Sequence, residues 1–131
     1  VAQNPFGVAP RSALDHVTLA LMARGQTRRQ AEPQAREALD RFGLASVGDQ
    51  PFGHLSGGEA QRLMLARATV TPAELLLVDE PTAQLDTHSA AAVIETLGHL
   101  ADAGRIVIIA THDPRVAATC TRAITLGQEA P

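Results

Sequence analysis

Apolar positions in the first half of the chain recur every three or four residues, and in the second half they gather into short unbroken runs. Between Ser12 and Arg24, Leu14, Val17 and Leu21 fall at helical spacing behind a Ser12/Asp15 pair that resembles a capping box, and Gly25 closes the segment. A second helix is predicted from near Thr27, with Gln30 as its reciprocal cap and Ala31, Ala35, Ala38, Leu39 and Phe42 on one side before Gly43. Pro33 inside it implies a kink or a start nearer Glu32. Residues 45–54, broken by Gly48, Pro51 and Gly53, read as loop. Ser56 with Glu59 forms a Ser-x-x-Glu box opening a third helix that reaches about Val70 and is stopped by Thr71-Pro72.

From Leu75 the pattern changes. Leu75 to Asp79 is apolar without alternation, which suits a strand covered on both faces of a parallel sheet. A helix from about Thr87 to Ala103, stopped at Gly104, leads to a second buried strand, Ile106 to Ala110. Asp113-Pro114 then opens a short helix, and Ala123 to Leu126 is predicted as a third strand. Strand, helix, strand, helix, strand is a parallel α/β layout. The first half is thus helical and the second α/β, two lobes with a boundary near His54 and not two independent domains.

Composition narrows the partners. All 11 basic residues are arginine, 14 acids oppose them, and the net charge is -3 with no basic run longer than Arg28-Arg29, which argues against a duplex nucleic-acid surface. At 131 residues and 45% hydrophobic content the chain can build a core. The single cysteine, Cys120, excludes an internal disulfide. No apolar run approaches the roughly 18 residues of a helical membrane span, and no signal-peptide pattern opens the chain, so a soluble polypeptide is expected. The first residue is Val1, not Met, and Val1-Ala2-Gln3 reads as the end of a strand, so the chain is expected to be a fragment of a longer one.

Candidate chemistry lies where ligands of open α/β sheets bind, beyond the carboxyl ends of the strands. Asp79-Glu80 ends one strand and Thr111-His112-Asp113 ends the next, about thirty residues on, the length of a βαβ unit. An Asp there suits Mg²⁺, the adjacent Glu can polarise a water for attack on a terminal phosphate, and His112 can donate a hydrogen bond to that phosphate. Ser56-Gly57-Gly58 offers free backbone N–H groups at a helix N-terminus, favourable to an anion. Yet the chain has no lysine, so the usual Gly-rich phosphate loop ending in Gly-Lys-Ser/Thr is absent from it. Each element also has a plainer reading: a cap around a Gly-Gly turn, a polar strand end, a helix cap at Asp113, a turn at Gln3-Asn4-Pro5. Their joint order and spacing separate the two readings.

That order is Gln3, then Leu55-Ser56-Gly57-Gly58-Glu59 with Gln61-Arg62, Leu75 to Glu80, Pro81-Thr82-Ala83-Gln84-Leu85-Asp86, and Thr111-His112-Asp113. It resembles the ATP-binding-cassette ATPases over essentially the whole chain, from the family's Q-loop onward. The resemblance implies a partial P-loop NTPase (RecA-like) parallel sheet with an inserted α-helical subdomain. Residues 1–9 would carry the Q-loop and a strand end, 10–55 the helical subdomain, and 56–131 the C-terminal part of the ATPase core. Gln3 is then the Q-loop glutamine at the metal and attacking water. Ser56, Gly57, Gly58 and Glu59 form the signature motif, which grips the γ-phosphate of the opposite subunit in a head-to-tail dimer. Asp79 is the Walker B aspartate on Mg²⁺, Glu80 the catalytic glutamate, His112 the switch histidine and Asp86 the D-loop aspartate at the dimer interface. Ala83-Gln84 departs from the more frequent D-loop residues, and the Walker A loop and adenine-stacking aromatic do not occur in this chain.

The implied function is the nucleotide-binding subunit of an ABC transporter, using ATP and Mg²⁺. Its implied partners are transmembrane permease subunits and a second ABC subunit, at the cytoplasmic face of the cell membrane. The segments around Pro10 to Val17, Ala23-Arg24-Gly25 and Thr111 to Ala117 resemble the lipoprotein-release and macrolide-export type. Without Walker A the chain alone is expected to be inactive, and uncovered strands are expected to make it self-associate. Two other classes stay open: a soluble ABC-type ATPase acting on DNA or ribosomes, which a long heptad insertion or second cassette would mark, and a non-catalytic interaction module.

Overall fold

The computed structural model describes residues 1, 5–83 and 85–127. In chain order it forms helices α1 (Ala13–Met22), α2 (Arg28–Arg41) and α3 (Gly57–Val70), strand β1 (Leu75–Asp79), helix α4 (Thr87–Asp102), strand β2 (Ile106–Ala110) and helix α5 (Pro114–Thr119).

The helix ends follow their caps. Ser12 Oγ accepts the Asp15 N–H at 3.1 Å, and the Thr27 N–H donates to Gln30 Oε1 at 2.9 Å. Pro33 lies inside α2 without delaying its start to Glu32, because the Thr27/Gln30 cap fixes the first turn from Arg28. Pro33 forfeits only its own intrahelical bond to the Arg29 carbonyl. Residues 45–54 are not plain loop: Ala45–Val47 and Phe52–His54 are single 3₁₀ turns. At the far end of α3, Arg24 donates to the Val70 carbonyl and Arg105 to the Thr69 carbonyl, both at 3.2 Å, placing cations where the helix presents unpaired carbonyls.

Helices α1, α2 and α3 pack on one another around Leu14, Val17, Leu21, Leu39, Leu63 and Leu65, all buried. The segment before α1 is pinned to this bundle by His16, which is buried against the Phe52 ring with centroids 5.2 Å apart. Its Nε2 accepts the Val8 N–H at 3.0 Å and its Nδ1 lies 2.7 Å from the Ser12 carbonyl, a pairing that requires the proton on Nδ1. A Cβ on Gly7 would sit 2.6 Å from the Phe52 ring, so that close approach requires glycine.

The two strands pair in parallel, Leu75 opposite Ile106 through Asp79 opposite Ala110. One face, with Leu76 and Val78, joins the core together with Val93 and Leu97 of α4. The other is open: Leu75 is 47%, Leu77 57%, Ile106 62% and Ile108 54% exposed. The apolar runs suit strands covered on both faces, but nothing among the described residues packs on this side, in keeping with the expectation of uncovered strands. The expected third strand fails. Among the described residues Ala123 to Leu126 pairs with no strand, and Ile124 and Leu126 are exposed, since an apolar run becomes a strand only where a neighbour supplies the hydrogen-bond ladder. No helix among the described residues is long and apolar enough to cross a membrane.

Candidate functional site

The register of β1 and β2 makes the site. Both strands end at the same level, Asp79 beside Ala110, so the next residues of each, Glu80 and Thr111-His112, emerge side by side. The Glu80 N–H extends the ladder by donating to the Ala110 carbonyl at 2.9 Å, and Glu80 then turns with φ 45°, the left-handed region that disfavours a residue with a Cβ. Strain of that kind, of order 1 kcal/mol or more, persists only where the surroundings impose it. Here three donors from β2's end do so. Glu80 Oε1 accepts the His112 N–H at 3.2 Å and faces His112 Nδ1 at 2.7 Å, and Oε2 accepts the Thr111 hydroxyl at 3.1 Å.

The pair is electrostatically lopsided. Glu80's side chain is 17% exposed and His112's 83%. The hydrogen bond from His112 to the Glu80 carboxylate holds that carboxyl below its ordinary value against the opposing effect of burial, and the same bond raises the His112 imidazole above its own. Glu80 is thus an ionised acceptor, and His112 presents most of its ring to solvent.

Asp79 is exposed at the end of β1 and borders a groove of about 370 Å³ lined by Val1, Leu77, Val78, Ile108 and Ala110. The described residues contain no group of three or more His, Cys, Asp or Glu placed to hold a metal ion between them. A Mg²⁺ ion that takes most of its ligands from water and phosphate needs only one or two carboxylates, and a solvent-facing Asp79 fits that requirement.

Ser56 to Glu59 lie at the N-terminus of α3. The Ser56 N–H and hydroxyl both donate to Glu59 Oε2, at 2.7 and 2.8 Å, and the Glu59 N–H returns a bond to Ser56 Oγ at 3.3 Å. The backbone bond from Ser56 lowers the Glu59 carboxyl below its usual range. This reciprocal cap employs the N–H groups of Ser56 and Glu59, while Gly57 and Gly58 stand in the first turn, where N–H groups have no intrahelical partner. Glu59's charge at the same terminus opposes an anion, so phosphate there depends on the two glycine amides and the helix dipole.

Asp86 caps α4, accepting the His88 and Ser89 N–H groups at 3.0 Å each and the Ser89 hydroxyl at 2.6 Å, which brings its carboxyl down to about 2. Gln3 and Gln84 lie outside the described residues. Sequence reasoning did not single out Ser89, which sits in an Ala-rich helical run. Its signal was the three-residue spacing from Asp86, the same offset that pairs Ser56 with Glu59.

Residues 1–83 match the ABC transporter family. The chain belongs to that family. It is 43% identical over 122 residues to the lipoprotein-releasing system ATP-binding protein LolD of Chromohalobacter salexigens, covering 92% of this chain and 52% of that protein. Against the macrolide export ATP-binding/permease protein MacB of Chromobacterium violaceum it is 43% identical over 115 residues, covering 88% of this chain and 18% of the relative. The chain therefore spans about half the length of the LolD relatives it matches. In three dimensions it resembles a dimeric ATP-binding cassette in a post-hydrolysis state bound to ADP and Pi, with a TM-score of 0.79 and 27% identity over 90% of this chain and 55% of that one. A dimeric bacterial ABC transporter cassette gives the same TM-score at 28% identity, over 86% and 50% of the two chains. The fold is the mixed helix and parallel-sheet arrangement of these cassettes.

Proposed function

We propose that this chain is part of the nucleotide-binding subunit of an ABC transporter of the lipoprotein-releasing or macrolide-export type, which couples ATP binding and hydrolysis to substrate movement. The observation that carries the reading is Glu80. It is an ionised carboxylate at a strand end, held in a strained backbone conformation by Thr111 and His112. Strain retained beside a pair of acid and base groups is the mark of a site that uses them. Glu80 orients the attacking water and accepts its proton, and His112, raised toward its protonated form, donates to the phosphate on which charge develops. Asp79, with Gln3, would hold Mg²⁺, which supplies neutralisation of charge on the β- and γ-phosphates.

Residues 10–55 then form the helical subdomain and 56–131 the C-terminal part of the ATPase core. Ser56, Gly57, Gly58 and Glu59 serve the nucleotide of a second ABC subunit in a head-to-tail dimer, and Asp86 lies at that interface. The assembly works with permease subunits at the cytoplasmic face of the membrane and takes no nucleic acid as partner. None of the 131 residues is the lysine of a phosphate loop, so the chain by itself does not turn over ATP, and the open face of β1 and β2 makes it self-associate.

The test is ATP turnover by the chain and by a longer protein that carries it behind a Gly-rich phosphate loop. The longer form should hydrolyse ATP and lose about 10²- to 10⁴-fold on Glu80→Gln. Hydrolysis by the 131-residue chain alone, or a Glu80→Gln form as fast as wild type, would overturn the assignment.

A further inference from the structure

The loop that follows Glu80 is tied down at both ends by side chains on other elements. At its start Thr82, 6% exposed, donates to Asp113 Oδ2 at 3.0 Å, next to His112 in sequence. Asp113 is held in turn by Arg115 at 2.8 Å. At its end Asp86 Oδ2 accepts the Ser89 hydroxyl at 2.6 Å, and the same Ser89 oxygen accepts Arg62 Nη1 at 3.2 Å. Arg62 belongs to α3, one turn and a half past Ser56, and reaches across 27 residues of sequence to Ser89 on α4.

Arg62 makes no other side-chain hydrogen bond among the described residues. Its Nε is buried and lacks a hydrogen-bond partner among the described residues. A half-buried guanidinium that leaves one donor unsatisfied is costly to maintain, and a fold stabilised by helix packing alone would be as well served by an apolar side chain. The direction of its one side-chain bond matters more than its charge. Ser89 holds Asp86 through its hydroxyl and N–H, alongside the His88 N–H, so Arg62 acts on the loop at one remove.

We propose that Arg62 is a positioning residue which, through Ser89 and Asp86, locks the loop after Glu80 to the helix opened by Ser56. The Ser56-Gly57-Gly58 amides and the Glu80/His112 pair are then presented as one body, the first through α3 and the second through Thr82 and Asp113. A phosphate gripped at Ser56 biases the geometry at His112 along this path. The inference rests on the reading given under Proposed function and adds to it a link between the element serving the partner's nucleotide and the element serving the chain's own.

The experiment compares Arg62→Met, Ser89→Ala, Ser89→Thr and the Arg62→Met/Ser89→Ala double variant in the longer, ATP-hydrolysing protein. Each single truncation should lower kcat about tenfold with KM for ATP held within about twofold, and the double variant should fall no further, since both remove one link. Ser89→Thr keeps the hydroxyl and should retain wild-type kcat. A loss that multiplies in the double variant, or a Ser89→Ala form with unchanged kcat, would overturn the link. A wild-type protein without turnover would count against the proposed function instead, and the link is then decided in the 131-residue chain by amide exchange at His88 and Ser89. Arg62→Met should speed their exchange by about tenfold, and unchanged exchange would overturn the proposal.

Discussion

The three packed helices α1, α2 and α3 leave little of their apolar surface in water, and the sheet does not match them. Leu21, Leu39, Leu63 and Leu65 are 2% exposed or less, whereas Leu75, Leu77, Ile106 and Ile108 keep 47% to 62% of their surface in water. Three helices can shield one another because each turns its apolar side to the other two. Two parallel strands have two faces, and α4 covers one. Local sequence can therefore satisfy the first half by itself, while the second depends on whatever lies against its open side.

The sharpest way to break this comparison is to truncate one leucine in each half. Leu63→Ala, at a site with no exposure, should lower the unfolding free energy by about 2–5 kcal/mol in a urea titration, the transfer loss plus an unfilled cavity. Leu77→Ala, 57% exposed in the single chain, should change it by about 0.5 kcal/mol or less at protein concentrations too low for self-association. If the Leu77 variant loses as much as the Leu63 variant, the open face is covered in solution by a second copy. Light scattering then reads the difference: a Leu77→Lys/Ile108→Lys form should run at lower mass than wild type, and equal masses would remove the apolar face as the cause of association.

The same contrast governs what the sequence made legible. Helix limits were readable because their determinants are local: Ser12, Thr27, Ser56 and Asp86 cap within three residues, and Gly25 and Gly104 adopt φ 87° and 85° at the stops. The apolar run Leu75 to Asp79 announced a strand, but a run of that kind states what a strand needs and not whether the need is met. Ala123 to Leu126 carries similar local character and stays unpaired, because pairing is a property of two segments. The meeting of Glu80 with His112 followed from the spacing of the two strands. The left-handed turn at Glu80 did not, since no local feature of Asp-Glu-Pro demands it; the three donors of Thr111 and His112 impose it from another strand.

A smaller effect tests whether the α3 N-terminus, which joins the two halves, is a cap or something more. Ser56→Ala should cost about 1 kcal/mol and Ser56→Gly only a few tenths, because glycine suits the extended cap backbone and water can replace the hydroxyl. Calorimetry at constant pH makes the measurement. A loss at Ser56→Ala well beyond the capping range would mean that Ser56 also supports packing between α3 and the sheet half, which would blur the division into a closed core and an open one.

The polar end of the sheet is tied by hydrogen bonds although its apolar face is uncovered, and the smallest predicted effect isolates those bonds. His112 is raised above the ordinary histidine value of 6.5 by Glu80, so the pair's stabilisation is complete below that value and fades as pH climbs through the raised one. Glu80 is lowered from 4.5, so its share is complete above that value and is lost as pH falls through the lowered one. The contact is therefore fully formed between 4.5 and 6.5, and weakens on either side. In an NMR titration the His112 ring should report a midpoint above 6.5 that drops toward it in Glu80→Gln. The stabilisation lost with it is small, because a ring 83% exposed is screened by water on its open side. A midpoint indifferent to Glu80→Gln would show that the carboxylate does not face the ring in solution. The left-handed turn at Glu80 would then lack its strongest restraint, and the sheet half would be unsettled at its polar end as well as on its apolar face.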